Sequence, residues 1–151
     1  FRETDPPEGG RILDLGCGYG AIGLAIAKAS PAAEVTGIDV NERAVLLANE
    51  NARSLSLADR FTATSPDEVP GELRFDEIWS NPPIRVGKSE LHELLLRWLG
   101  RLSPEGRAVL VVGKHLGADS LQRWLAEQGH QTERLASAKG FRVLECRASG
   151  H

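Results

Sequence analysis

The stretch RILDLGCGYG, Arg11 to Gly20, joins a short apolar run to a turn with glycine at every second position. Ile12, Leu13 and Leu15 make the first part a strand candidate. Gly16, Gly18 and Gly20 then permit a tight turn and let a ligand approach bare backbone. The residues that follow, YGAIGLAIAKAS, carry a helical pattern that Pro31 stops, and the start of such a helix offers free N–H groups to a carboxylate or phosphate. A strand, a glycine turn and a helix in direct succession form the first unit of a wound α/β sheet.

The rest of the chain repeats that alternation. EVTGID (34–39) reads as a second strand. In NERAVLLANENARSLSL after it, Ala44, Leu47, Ala48 and Asn51/Ala52 recur at helical spacing. RFTAT (60–64) and RFDEIWS (74–80) are strands three and four. A helix over 89–102 places Leu91, Leu94, Leu95, Trp98 and Leu99 on one face. RAVLVVG (107–113) is apolar without alternation, as central parallel strands are. Asp119 or Ser120 is expected to cap the helix SLQRWLAEQG, which Gly129 ends. QTERLA and FRVLECRA alternate with period two around the turn SAKG, an antiparallel hairpin. The expected fold is α/β: a Rossmann-like, doubly wound, mostly parallel seven-stranded sheet with a C-terminal antiparallel hairpin. One catalytic domain is expected over 1–151.

Composition narrows the function classes. A chain of 151 residues with 41% hydrophobic content can bury a sizeable core. It has no apolar run of membrane-spanning length and no signal-peptide pattern. Cys17 and Cys146 are far apart and match no metal spacing, while His92, His115, His130 and His151 are scattered. No metal site is therefore expected, and two free thiols suit a cytoplasmic protein. The net charge of -3 argues against a globally basic nucleic-acid binder, although not against a local basic patch. Met is absent even at position 1, so the segment is expected to begin inside a longer polypeptide.

In this architecture ligands bind beyond the carboxyl ends of the strands. Asp39 ends strand two, where a carboxylate can accept hydrogen bonds from both hydroxyls of a ribose. Gly18, Gly20 and Gly23 also fit the dinucleotide pattern GxGxxG, which alone leaves NAD and S-adenosylmethionine both open. The frame of the loop, GxGxG from Gly16 with Asp14 inside the strand end, resembles the first motif of class I S-adenosylmethionine-dependent methyltransferases. That resemblance implies S-adenosylmethionine as cofactor, held by Asp14, Gly16, Cys17, Gly18, Gly20, Asp39, Val40 and Asn81. Relatives often place an Asp against the cofactor adenine after strand three. Here the segment reads TSPDEV, with Ser65 or Asp67 available, and Asp67 is taken.

Asn81-Pro82-Pro83-Ile84, directly behind strand four, resembles the N/D-P-P-Y/F/I motif of methyltransferases that act on planar exocyclic amines. Such a nitrogen shares its lone pair with the ring and is a poor nucleophile. Two acceptors facing its N–H bonds, the Asn81 side-chain oxygen and the Pro82 carbonyl, favour a pyramidal nitrogen. Their help grows as positive charge develops, so it acts on the transition state. Pro82 and Pro83 restrict the residues before them, which fixes the acceptors in advance of substrate. No general base is required, because the methylated ammonium loses its proton readily to water.

WSNPPIRVGKSELHELL and the closing KGFRVL are similar to the small-subunit ribosomal RNA guanine-N2 methyltransferases and their close bacterial relatives. This resemblance covers essentially the whole chain. It implies a guanine of small-subunit ribosomal RNA as substrate, free or in the assembled subunit, with the methyl going to N2. Ile84 stands where many amine methylases carry an aromatic residue that stacks on the base, an interaction worth about 1–3 kcal/mol. Arg85 and Lys88, with Lys114, His115 and Lys139, could hold phosphates flanking an extruded base, the first two being the preferred substrate-binding residues. The alternatives are an enzyme of the same fold acting on a nucleic-acid adenine or a protein glutamine, and an NAD-binding oxidoreductase or silent nucleotide-binding domain.

Overall fold

The computed structural model describes residues 9–81, 88–113, 117–138 and 140–148. Strands β1 (Gly10–Leu15), β2 (Ala33–Ile38), β3 (Phe61–Thr64), β4 (Phe75–Ser80), β5 (Leu102–Gly113), β6 (Thr132–Ala138) and β7 (Phe141–Arg147) form one sheet in the order β3-β2-β1-β4-β5-β7-β6. The first five run parallel, and β7 enters antiparallel between β5 and β6. Among the described residues four α-helices connect them: α1 (Ala21–Ala29), α2 (Glu42–Ser54), α3 (Lys88–Leu99) and α4 (Ala118–Glu127). The seven-stranded, doubly wound sheet with its antiparallel C-terminal hairpin is the expected architecture. The antiparallel insertion also separates it from the all-parallel dinucleotide-binding sheet.

Each face of the sheet carries its own core. Leu13, Leu15, Ile78, Leu110 and Val112 meet Leu91, Leu95 and Trp98 of α3 and Leu121 and Leu125 of α4. On the other face Ile12, Val35, Phe61, Trp79 and Val109 meet Leu24, Ile26 and Ala27 of α1 and Ala48 and Ala52 of α2. Successive residues of β1 serve opposite faces, which is why its last four residues are all buried. Across β4, β5 and β7 the register is reinforced by Arg107, which meets Glu77 at 3.2 Å and Glu145 at 2.9 Å. A slip of one residue would turn these charges into the opposite core.

The structure corrects four local expectations. Helix α3 stops at Leu99, because Gly100 follows and Leu102 already pairs with Phe75 of β4. Strand β5 correspondingly starts at Leu102, five residues early, and bulges between its Phe75 and Glu77 registers. Gly106 permits the bulge: a Cβ there would lie 3.0 Å from the Asp76 and Ser103 carbonyl oxygens. Helix α4 is capped by Gly117 in the left-handed region, and neither Asp119 nor Ser120 is the cap. The Ser120 hydroxyl instead bonds back to the Gly117 carbonyl at 3.0 Å. On α2, Ala48 and Ala52 are buried as expected, whereas Leu47 is 44% exposed. The small residues let the helix lie close to the sheet, and Leu47 is left on its flank.

Candidate active site

The parallel register brings four strand ends into one row. Leu15 pairs with Ile38 on one side and Ser80 on the other, and Ile38 pairs with Thr64. The next residues, Ser65, Asp39, Gly16 and Asn81, therefore leave the sheet side by side, with neighbouring strands about 4.8 Å apart. The buried Ser80 hydroxyl donates to the Leu15 carbonyl at 3.2 Å, which ties the strand before Asn81 to the strand before Gly16. Ser80 escaped notice in the sequence because a serine before NPP looks like turn chemistry.

Gly16, Gly18 and Gly20 have φ of 74°, 54° and 99°. A Cβ on Gly16 or Gly18 would meet nothing within 4 Å. What requires glycine at these two positions is thus the left-handed backbone, and the space above them is open to a ligand. Gly23 differs. A Cβ there would sit 2.6 Å from the Phe61 ring and 2.8 Å from Asp14 Oδ2, so helix and strand pack too closely for any side chain. The loop is further held by the Cys17 N–H on the Ile38 carbonyl and the Gly20 N–H on the Cys17 carbonyl, both 2.8 Å.

The two acids of the site are linked to this loop by backbone donors. Asp39 Oδ2 accepts from the Gly18 N–H and Oδ1 from the Asn41 N–H, each at 2.9 Å. The carboxylate is thereby oriented by two elements, and each oxygen keeps acceptor capacity for a hydroxyl. Asp14 lies below, 1% exposed, and accepts the Gly23 N–H at 2.9 Å. Burial raises its carboxyl to about 7; the Gly23 bond opposes the rise and the charge of Asp39 adds to it. Burial, then Asp14 and Asp39, push the Cys17 thiol up to about 12, so Cys17 stays a thiol and is no nucleophile.

Asp14 carries a pH dependence whose sign is set by that rise. Its folded value lies above the ordinary 3.8, so the folded protein holds the extra proton. Stability from this group is complete below pH about 4 and is lost as pH climbs towards about 7. Asp14→Asn keeps an oxygen for the Gly23 N–H and cannot ionise. Its Tm should therefore fall less than that of the wild type between pH about 4 and 7. Equal slopes would show that another group governs the change.

The other expected residues divide into those placed at this edge and those not. Val40, beside Asp39, is 87% exposed, and Tyr19 in the glycine loop is 60% exposed. Val40 offers apolar surface beside Asp39, whereas Tyr19 lines a groove with Leu24, Ala25 and Leu55 between α1 and the end of α2. Asn81 is exposed directly after β4. Asp67 sits in a short 3-10 turn (Pro66–Glu68), its side chain 94% exposed and 3.4 Å from Arg97 of α3. So exposed an ion pair is weak and does not lock the carboxylate. The Ser65 hydroxyl donates to Glu68 at 2.9 Å. Pro82, Pro83, Ile84, Arg85, Lys114, His115 and Lys139 lie outside the described residues, and Lys88 enters as the first residue of α3. Among the described residues no group of three His, Cys, Asp or Glu could hold a metal ion, and no helix is long and apolar enough to cross a membrane.

An open glycine loop, an oriented strand-end acid and the exposed Val40 beside it fit a nucleoside-bearing cofactor. Residues 2–145 match the family model described as Methyltransferase small domain. The chain is 34% identical over 145 residues to the Bacillus subtilis protein YbxB, covering 95% of this chain and 72% of that protein. It is 42% identical over 86 residues to the release factor glutamine methyltransferase of Rhodopirellula baltica, covering 55% of this chain and 29% of that enzyme. The solved structure of the T. thermophilus 16S rRNA N2 G1207 methyltransferase, in complex with AdoMet and guanosine, superposes with a TM-score of 0.76 at 28% identity. The match covers 93% of this chain and 38% of the Thermus one. The chain thus spans well under half the length of these two named methyltransferases.

Proposed function

The chain belongs to the methyltransferase small-domain family and uses S-adenosylmethionine, and from that premise we propose that its acceptor is an exocyclic nucleobase amine, guanine N2 of small-subunit ribosomal RNA. The observation that carries this reading is Asn81 emerging beside the glycine loop, on the strand tied to it through Ser80 and Leu15. An amide there serves a planar amine that needs acceptors, and the Thermus enzyme of the same fold acts on a guanine N2. When bound, S-adenosylmethionine supplies an electrophilic methyl group. Gly16, Gly18 and Gly20 accommodate it against bare backbone, Asp39 accepts from its ribose, and Val40 and Asp67 contribute to its adenine side. Asn81 and the Pro82 carbonyl accept the N–H bonds of the amine and orient its lone pair. A cytoplasmic location accompanies a ribosomal substrate.

The test is label transfer from radiolabelled S-adenosylmethionine to small ribosomal subunits, DNA and protein, followed by nucleoside mass spectrometry. N2-methylguanosine in ribosomal RNA is the expected product. A second reading, a protein glutamine side chain, is supported by the identity to the Rhodopirellula enzyme. Label in protein with none in RNA would replace the first reading by it.

Arg85 and Lys88 are proposed to hold phosphates beside the base. Changing both to Ala should weaken RNA binding and reduce the slope of log K against log salt by about 0.7 per lost single-stranded contact. Cofactor affinity should stay the same. An unchanged slope would return both side chains to ordinary solvated charge.

A further inference from the structure

We propose that Asn49 and Asn51 of α2 are positioning residues for the cofactor site, tying the glycine loop and the end of β3 to one helix. The inference rests on reading the Gly16–Gly20 loop as the cofactor-binding loop. Asn51 Nδ2 donates to the Tyr19 carbonyl at 2.9 Å, across 32 residues of sequence. Asn49 does the same for the neighbouring strand end: its Oδ1 accepts the Ala63 N–H at 2.8 Å and its Nδ2 donates to the Ala63 carbonyl at 3.0 Å. A third asparagine, Asn41, caps α2 through Arg43 and Ala44, while its own N–H binds Asp39. Every segment that reaches the row of strand ends from this side is thus fastened to the same helix.

Neither asparagine is explained by the helix itself, since Asn is a poor residue for a helix interior. Their amides do work that the sheet and loop cannot do alone. β3 is an edge strand, so Ala63 has no further strand to bond, and the Asn49 amide supplies both missing partners. Tyr19 lies between Gly18 and Gly20, two residues with the widest backbone freedom. A carbonyl anchored between them holds the loop in the shape that leaves the space above Gly16 and Gly18 open. A loop already ordered costs less to bind against.

The experiment compares Asn51→Leu, Asn51→Gln and Asn49→Leu with the wild type. Leucine is close in size and a better helix former, so α2 should persist. Calorimetry with S-adenosylmethionine and with S-adenosylhomocysteine should show Kd raised about three- to tenfold in Asn51→Leu, the effect of one ordinary hydrogen bond. Asn51→Gln, which keeps the donor, should recover part of the loss, and Asn49→Leu should also weaken binding. Hydrogen exchange at the Gly18 and Gly20 amides of the unliganded protein should quicken in Asn51→Leu with little change in Tm. An unchanged Kd with a lowered Tm would make the asparagines supports of the fold only, and overturn the proposal. Asp39→Ala, run beside them, separates the two levels. If it weakens binding while Asn51→Leu does not, the positioning inference alone fails. If neither changes Kd, the cofactor reading of the loop fails with it.

Discussion

Asn81→Ala is expected to lower methyl transfer about a hundredfold or more while leaving the Kd for S-adenosylmethionine nearly unchanged. Losing one preoriented acceptor costs about 2.7–4 kcal/mol when it acts mainly on the transition state. Asn81 is well suited to such a role. It is exposed, it follows a strand fully buried over its last three residues, and its predecessor Ser80 is bonded to β1. The strand that carries it is therefore anchored directly before Asn81. Single-turnover measurement with saturating cofactor isolates the chemical step. Turnover within a few-fold of wild type would mean that the amide does not activate the acceptor.

The second large effect is expected on the cofactor. Asp39→Ala should weaken S-adenosylmethionine binding by about 1.5–3 kcal/mol, the range for hydrogen bonds to a charged group. Two losses combine in that figure. The ribose acceptors go, and the Gly18 and Asn41 N–H groups lose the carboxylate that now receives them. Asp39→Asn should lie between, because an amide keeps only one of the two oxygens that accept the Gly18 and Asn41 N–H groups. Calorimetric Kd values for the three proteins give the comparison. Equal affinity in all three would move the ribose away from the end of β2.

These two residues also show how far the amino-acid order reached. Gly16, Asp39 and Asn81 were legible as candidates because each directly follows a strand whose apolar run is plain, and Gly18 and Gly20 because they continue the turn after the first of these strands. The punctuation there is glycine or proline, whose backbone limits act locally. The doubly wound sheet followed from the same alternation, and so did the antiparallel hairpin, from period two around a glycine turn. The helical face Leu91, Leu95, Trp98 and Leu99 was equally visible, and all four are buried.

Other features needed partners that lie far away in the chain. The bulge over residues 103–106 exists because β5 must meet both Phe75 and Glu77, a register visible only once β4 is beside it. Leu47 matched the helical period but is left on a flank, since Ala48 and Ala52 set how closely α2 approaches the sheet. Asp39 was recognisable as an acid at a strand end, yet its orientation comes from the Gly18 N–H, 21 residues earlier. Asp14 is buried against Gly23 and raised to about 7 by surroundings drawn from several elements. The amides of Asn49 and Asn51 look like solvated side chains of a helix until the Ala63 backbone and the Tyr19 carbonyl are placed against them. By itself the sequence determined which local units form and which residues end them, because periodicity and backbone restriction act over a few residues. Register, burial and the partner of each polar group were decided only by the tertiary structure, because they depend on which distant strand or helix lies alongside.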